Sequence, residues 1–251
     1  MEIKTWAGAQ PPKLGTLLSI DHPTIVEIAR LAGFDWLWID AEHGSFNEIS
    51  AATACAVNSC GPPAFVRLPD RSATAIKRFL DIGCDGIILP QVSTPAEVDD
   101  IARAALYPLG GERSIGLTRA QGYGTRFAEY LSNKSYAIIV QIESAAGVEN
   151  ARAIIEHTAV DAVIIGPYDL SSSYGIPGQI DSPQVARAVA SVLALCKQTG
   201  KPCGIFAATA EKARAYAQMN FDLIAVGIDT TTLLSGFTSL RNCLARPNEG
   251  S

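Results

Sequence analysis

The sequence has few histidines, no closely spaced cysteine pair and no long apolar run. It contains 3 His and 6 Cys in 251 residues, with no Cys-x-x-Cys pair, so a zinc site built from His and Cys is not expected. The scattered cysteines are typical of buried, reduced thiols in a cytoplasmic protein. No run approaches the ~18 apolar residues of a membrane span, and residues 1–13 lack the apolar core of a signal peptide.

Basic residues are also in short supply. Lys and Arg number 20 against 25 Asp and Glu, giving a net charge of −5 at pH 7. Because no block of Lys or Arg occurs, neither nucleic acid nor an anionic membrane is an expected partner. The Gly-x-Gly-x-x-Gly and P-loop patterns are both missing, so an organic nucleotide cofactor has no motif support.

Apolar material, by contrast, is plentiful and regularly arranged. Hydrophobic residues make up 48% of the chain, and eight apolar runs alternate with segments of helical periodicity. The runs are residues 13–20, 34–40, 62–69, 84–90, 135–143, 160–166, 201–207 and 221–229. Such strands indicate a parallel sheet covered by helices. Eight strand–helix units predict one domain, residues 1–251, folded as a single (β/α)₈ TIM barrel of the α/β class. An open doubly wound sheet is the alternative.

Local signals support the element boundaries. Ser72, Thr209 and Asp229 occupy positions typical of helix N-caps, and glycines follow several helical segments. Two connections, residues 107–134 and 166–182, are longer than simple loops. Long connections on a barrel are usually functional or mobile.

An ionisable residue follows the end of four apolar runs. These residues are His43, Arg67, Glu143 and Asp169. Because the carboxyl ends of parallel strands meet at one face, we expect these side chains to form one site. A base or acid, a fixed cation and two carboxylates suit metal-assisted chemistry on a small anion.

Glu143 and Asp169 follow the fifth and sixth strands, which are neighbours in a barrel, so their carboxylates should lie close together. Two oxygen ligands, completed by water and a chelating substrate, suit Mg²⁺ or Mn²⁺. The alternative is structural: Glu143 as a first-turn acid favoured by the helix dipole, and Asp169 as the cap of a short helix. We favour the metal site because both acids follow the ends of adjacent strands.

Arg67 and His43 are the candidates for charge stabilisation and proton transfer. The fork of Arg67 is suited to a carboxylate or a developing enolate oxygen, although a structural ion pair is the alternative. His43 can act as a base near neutral pH if a carboxylate, Asp40 or Asp81, orients it; otherwise it is a loop histidine. No lysine ends a strand, which argues against a Schiff-base aldolase.

The same segments carry a family resemblance. The strings are GFDWLWIDAEHG, VRLP, LDIGCDGIILPQV, YPLGGERSIG, VQIES, GPYDLSSSYG and AVGIDTTTLL. Over residues 14–241 they resemble the metal-dependent (class II) 2-oxo acid aldolases typified by 4-hydroxy-2-oxoheptane-1,7-dioate aldolase, in the citrate-lyase-β-like superfamily. The combination of the first and fifth strings is the specific part of this resemblance.

The resemblance implies a role for each position. Glu143 and Asp169 would hold a divalent metal (Mg²⁺, Mn²⁺ or Co²⁺), and Arg67 would stabilise the pyruvate enolate. His43, helped by Asp40 and Asp81, would handle protons. The residues expected to contact the substrate are Arg67, Gln141, Gly166 and Asp169.

The reaction implied is the reversible cleavage of a 4-hydroxy-2-oxo acid to pyruvate and an aldehyde. A homo-oligomer, hexamer or trimer, with an exchanged terminal helix is also implied. The loop string LTRAQGYG departs from the better-known aldolases, so the aldehyde stays open. The alternatives are an oxaloacetate decarboxylase of the macrophomate-synthase type, a CoA-ester lyase, and a non-catalytic barrel that binds a metabolite.

Overall fold

Eight parallel strands close into a barrel. The computed structural model describes residues 2–9 and 12–244, with described side chains ending at Cys243. The strands are β1 (Lys13–Leu18), β2 (Trp36–Asp40), β3 (Ala64–Arg67), β4 (Gly86–Leu89), β5 (Ala137–Ile142), β6 (Ala162–Ile165), β7 (Cys203–Ala207) and β8 (Leu223–Ile228). Each strand pairs in parallel with the next along the chain, and β8 pairs with β1. The predicted (β/α)₈ barrel is confirmed; the extent of the domain, residues 1–251, includes ends outside the described residues.

Helices surround the barrel. They are α1 (Ile3–Gly8), α2 (Pro23–Leu31), α3 (Glu48–Val57), α4 (Ala73–Asp81), α5 (Pro95–Ala105), α6 (Phe127–Ser132), α7 (Ala145–Glu149), α8 (Ala151–Glu156), α9 (Pro167–Ser173), α10 (Pro183–Thr199), α11 (Ala210–Gln218) and α12 (Asp229–Arg241). The two long connections contain α6, which the sequence patterns did not predict, and α9, a short helix in which Asp169 lies in the first turn and Gly166 is the N-cap. No described helix is long and apolar enough to span a bilayer.

Two of the three predicted N-caps are observed. The hydroxyls of Ser72 and Thr209 accept backbone N–H groups in the first turns of α4 and α11. Asp229 instead begins α12, and its buried carboxylate accepts N–H groups of Ser19 and Ile20 at 2.8 Å each. This carboxylate therefore ties the end of β8 to the loop after β1, which is a long-range contact that a cap pattern does not reveal.

Helix α1 lies against one end of the barrel interior. Its Ile3 and Ala7 are buried, and its Trp6 ring packs edge-on against Phe65 with centroids 6.2 Å apart. The same interior cluster contains the large side chains of β2, Trp36 and Trp38. Because Phe65 lies near the start of β3, α1 covers the amino-terminal end of the barrel. The site must therefore be sought at the opposite, carboxyl-terminal end.

The cysteines correct one expectation. All six are free thiols, but only four are buried; Cys60 and Cys243 are exposed. Burial raises the pKa of the Cys55 thiol to about 12. Cys84, two residues before β4, and Cys203, the first residue of β7, are buried, and burial raises the pKa of both thiols well above the ordinary value. These three thiols are therefore poor nucleophiles at neutral pH.

Candidate active site

The carboxyl-terminal end of the barrel gathers the polar residues predicted at strand ends. Arg67 is the last residue of β3 and lies opposite Asp40, the last residue of β2. Gln141 lies near the end of β5, directly before Ile142 and Glu143. Gly166 follows β6, and Asp169 lies in the first turn of α9. Neighbouring strands thus deliver one cation and several acids to the same edge.

A buried ion pair anchors one side of the site. Arg67 is 6% exposed; its Nε and Nη2 donate to the two carboxylate oxygens of Asp40, at 2.9 and 2.7 Å. Its Nη1 lies 3.1 Å from Glu42 Oε2, and its guanidinium lies over the Trp38 ring. Burial lowers the pKa of Arg67, but the Asp40 hydrogen bond and the charges of Asp40 and Glu42 outweigh it and raise the pKa. Arg67 is therefore a permanent cation.

The geometry leaves Arg67 with spare donors. A guanidinium carries about five N–H groups; Asp40 accepts one each from Nε and Nη2, and Nη1 forms an ion pair with Glu42. Among the described residues, an N–H on each terminal nitrogen has no hydrogen-bond acceptor and could bind another oxygen. Because the fork is planar, these donors suit a carboxylate or an enolate oxygen.

Glu143 forms the other side of the site. It is 4% exposed, and its Oε1 accepts the backbone N–H of Gln91 at 2.8 Å. Its Oε2 accepts from Nε2 of Gln141. The Oε1 atom of Gln141 is buried and has no hydrogen-bond partner among the described residues. One carboxylate is thus held at both oxygens, beside an amide oxygen that could still accept a bond.

The electrostatics of this cluster are unbalanced. Burial, the largest cause, raises the pKa of Glu143 to about 7; the Gln91 hydrogen bond lowers it, and the charges of Asp169 and Glu42 raise it further. Burial also raises the pKa of Glu42, with Arg67 opposing. The charges of Asp40, Glu42 and Glu143 act on the one guanidinium of Arg67, and the charge of Asp169 acts on Glu143 and Glu42. When all are ionised, negative charge exceeds positive, which favours binding of a cation.

The residues present fit a hard divalent cation. Among the described residues no cluster of three or more His, Cys, Asp or Glu side chains is placed to ligate a metal. Mg²⁺ typically uses one or two protein carboxylates and completes its shell with water and substrate oxygens. Glu143 and Asp169 could supply these two carboxylates, with the free Gln141 oxygen nearby. The unbalanced negative charge and the orphaned oxygen both fit such an ion.

His43 and Asp81 are placed differently from expectation. The His43 side chain is 68% exposed, and its Nε2 lies 3.9 Å from Oε2 of Glu42, an acid that the sequence analysis did not name. Asp40 accepts the His43 backbone N–H at 3.3 Å, so it orders the turn rather than the imidazole. The available signal was that Glu42 lies in the same short segment as Asp40 and His43, where its N–H donates to Asp40 Oδ1 at 3.0 Å in the bend after β2.

Asp81 lies apart from the cluster within one chain. It is the last residue of α4, and its carboxylate accepts from Nη2 of the buried Arg113 at 2.6 Å. A helix of the barrel runs antiparallel to its strands, so the end of α4 lies toward the amino-terminal end of the barrel. The structure therefore does not bring Asp81 to His43 of the same chain, and its role stays a prediction.

Position 166 requires glycine because the side chains of Glu143 and Gln141 approach it closely, and not because of its backbone angles. A Cβ at this position would lie 2.4 Å from Oε2 of Glu143 and 2.9 Å from Nε2 of Gln141. Gly166→Ala is therefore expected to displace Glu143 and weaken Mn²⁺ binding by about 10-fold to 100-fold. Gly8→Ala is the matched control, since its Cβ meets nothing within 4 Å and α1 lies at the other end of the barrel. Titration of Mn²⁺, followed by electron paramagnetic resonance, measures both; equal affinities in the two variants would contradict the expectation.

The raised pKa of Glu143 predicts a pH dependence of stability in metal-free protein. The group binds its proton more tightly folded than unfolded, so its stabilising contribution is complete below pH 4.5 and is lost as pH rises through about 7. The total loss is roughly 3 kcal/mol. Urea unfolding between pH 5 and pH 8 should therefore show wild type losing stability relative to Glu143→Gln. Parallel curves for the two proteins would show that the pKa is not raised.

Comparison with known proteins gives a consistent picture. A family model described as HpcH/HpaI aldolase/citrate lyase matches residues 13–236. The chain is 34% identical to a 5-keto-4-deoxy-D-glucarate aldolase of Citrobacter koseri over 251 residues, covering 98% of this chain and 96% of the relative. A crystal structure of an HpcH/HpaI aldolase/citrate lyase family protein from Burkholderia cenocepacia superposes with a TM-score of 0.91 at 32% identity, covering 97% and 99%. An HpcH/HpaI aldolase from Desulfitobacterium hafniense gives 0.88 at 28% identity, covering 100% of both chains.

Proposed function

Because the chain belongs to the HpcH/HpaI aldolase/citrate lyase family, and is thus a carbon–carbon lyase, we propose a specific reaction for it. The reaction is the reversible cleavage of a 4-hydroxy-2-oxo acid to pyruvate and an aldehyde, with a divalent cation, Mg²⁺, Mn²⁺ or Co²⁺, bound by Glu143 and Asp169. The observation that carries the proposal is the excess of carboxylates around Arg67. Glu143, with its pKa raised to about 7, is the most strongly affected of them.

Each side chain has a task that its geometry supports. A cation held by Glu143 and Asp169 would supply Lewis-acid polarisation of the 2-oxo group. The spare N–H groups of Arg67 bind the oxygen on which enolate charge develops, and their ion pairs with Asp40 and Glu42 hold them in place before the reaction. The exposed His43 takes the proton of the 4-hydroxyl group, directly or through water, while Glu42 is the carboxylate closest to its ring.

The substrate is proposed from the relatives. Several curated relatives are named 5-keto-4-deoxy-D-glucarate aldolase, and this sugar acid is a 4-hydroxy-2-oxo acid when numbered from its oxo end. We therefore propose it as the first substrate to test. Gln141, Gly166 and Asp169 would line the half of the pocket that takes the oxo acid, because they surround Glu143.

The test is a cleavage assay coupled to lactate dehydrogenase, with Mg²⁺, Mn²⁺ or Co²⁺ and then with a chelator. Metal-dependent release of pyruvate together with an aldehyde supports the proposal. Carbon dioxide release from oxaloacetate without aldehyde cleavage would replace it by a decarboxylase, and turnover of acyl-CoA esters alone would replace it by a CoA-ester lyase. A protein that binds a metabolite but turns over none of these substrates would be a non-catalytic barrel.

An assembly of several copies is part of the proposal. Helix α12 exposes Leu234, Phe237 and Leu240, each at least 66% accessible; such an apolar face favours burial against another chain. We propose a homo-oligomer, a hexamer or trimer, and a cytoplasmic location in keeping with the six free thiols. Light scattering after gel filtration measures the assembly, and a monomer at micromolar concentration would contradict it.

A further inference from the structure

We infer that Arg71 is a positioning residue for Glu143, an inference that rests on the metal site proposed above. Arg71 contacts neither Glu143 nor Asp169 in the hydrogen-bond and ion-pair network of the described residues. It acts through the turn after β4, residues 90–94, whose backbone holds the Glu143 carboxylate. We call this segment the β4 turn.

The β4 turn contains an unusual backbone conformation at its point of contact with Glu143. Gln91 has φ of 55°, in the left-handed region that residues with side chains seldom adopt. In this conformation its N–H donates to Glu143 Oε1 at 2.8 Å, and the next N–H, of Val92, donates to the Gln141 carbonyl at 3.1 Å. A conformation of this kind persists only when the surroundings restrain it.

Arg71 supplies that restraint. Its Nη1 donates to the carbonyl of Pro90 at 2.9 Å and also to the carbonyl of Gln91. Its Nη2 donates to Glu97 Oε1 at 2.8 Å. Gln91 is therefore held through its carbonyl by Arg71, and through its N–H it holds Glu143.

Glu97 completes the restraint from the other side of the β4 turn. Its Oε2 accepts the N–H groups of Ser93 and Thr94, at 2.7 and 3.0 Å. The guanidinium of Arg71 joins this carboxylate to two consecutive carbonyls, a geometry that a planar fork allows and a single ammonium does not reproduce. Glu97 of α5, Arg71 and the backbone of the β4 turn thus form one continuous hydrogen-bond network that ends at Glu143.

The Arg71–Glu97 ion pair is partly exposed, so its effect on cation binding can be distinguished from an effect on folding stability. The side chains of Arg71 and Glu97 are 30% and 31% accessible, and ion pairs near the surface contribute little to folding. Partners in the outer shell of a metal site, by contrast, typically change affinity by about 10-fold to 100-fold when removed. The inference therefore predicts a large effect on cation binding without a matching loss of stability.

The test is the Mn²⁺ dissociation constant of the full chain, measured by electron paramagnetic resonance, with thermal melting alongside. Arg71→Met should weaken binding by about 10-fold to 100-fold, and Arg71→Lys should restore it only in part. Arg152→Met, which removes an exposed arginine paired with Glu156, should bind as wild type. If Arg71→Met binds as tightly as wild type, or only melts earlier, the inference is overturned.

A second pair of variants tests the β4 turn independently of Arg71. Gln91→Gly keeps the N–H donor and accepts the positive φ, so it should bind Mn²⁺ within about threefold of wild type. Gln91→Pro removes the donor and cannot adopt this φ, so it should bind at least 10-fold more weakly. Equal binding by the two variants overturns the inference. Failure of wild type itself to bind Mn²⁺ or Mg²⁺ overturns the proposed function instead.

Discussion

Glu143→Gln is expected to abolish Mn²⁺ binding at micromolar concentrations and to reduce metal-dependent pyruvate release by at least ~10³-fold. The substitution preserves the size of the side chain, and its amide oxygen can still accept the Gln91 N–H. It removes the carboxylate charge on which a hard divalent cation depends. The variant should also be more stable than wild type in metal-free buffer at pH 8, because it no longer buries an ionised group.

This combination of higher stability with lost binding separates a metal ligand from a structural residue. Calorimetric titration with Mn²⁺ and urea unfolding at pH 8 measure the two effects on the same samples. Gly8→Ala serves again as a variant outside the site, with binding and turnover unchanged. Normal turnover by Glu143→Gln, with metal still bound, would remove Glu143 from the proposed role.

Arg67→Ala is expected to lower kcat by ~10²-fold or more, as is typical when a donor to a developing oxyanion is lost. Its signature differs from that of Glu143→Gln, because Mn²⁺ binding should be retained or tightened once a cation leaves the cluster. The fold should lose about 3–5 kcal/mol, since Asp40 and Glu42 are left without their partner.

Two further variants separate the loss of charge from the loss of geometry. Arg67→Lys keeps the charge but cannot form the fork to Asp40 and also contact Glu42, so at least a 10-fold loss of kcat is expected. Arg152→Ala removes an exposed pair with Glu156 and should change stability by no more than ~0.5 kcal/mol. Steady-state kinetics with saturating metal measure kcat of both Arg67 variants. A change in kcat below about threefold in Arg67→Ala would exclude the proposed role of Arg67.

The parts of the site that lie at strand ends could be predicted from sequence. Arg67 and Glu143 each follow a short apolar run, and the barrel brings the ends of all such runs to one face. Asp169 falls in the first turn after β6, where its charge raises the pKa of Glu143. Position at the end of a strand was enough for this prediction, because the closed barrel brings the carboxyl ends of its strands to one face.

The parts that depend on long-range loop contacts could not be predicted. The Gln91 N–H reaches Glu143 only because the β4 turn adopts a positive φ, and no glycine marks that position. Helix α1 covers the barrel through Ile3, Trp6 and Ala7. This helix has only six residues, which is too short a segment to show a helical pattern in the sequence. Such contacts are set by packing and not by local sequence preference.

The pairing of the acids assigned to His43 could not be predicted from the sequence either. The sequence analysis named Asp40 and Asp81 as acids that could orient His43; within one chain Asp40 pairs with Arg67 and Asp81 with Arg113, and their roles toward His43 stay predictions. Glu42 is the acid near the imidazole. The sequence alone does not show which acids are already paired, because arginines from other elements decide it.

The most direct test of the central claim is deuterium exchange into the methyl group of pyruvate in D₂O, followed by NMR. The reaction needs no knowledge of the aldehyde, and it is run with Mg²⁺, with Mn²⁺ that is removed before spectra are taken, and with a chelator. A metal-assisted enolate predicts exchange that requires the metal, is abolished in Glu143→Gln, and falls by ~10²-fold in Arg67→Ala. Exchange that persists with chelator, or that Glu143→Gln leaves unchanged, would contradict a metal-assisted enolate at this site.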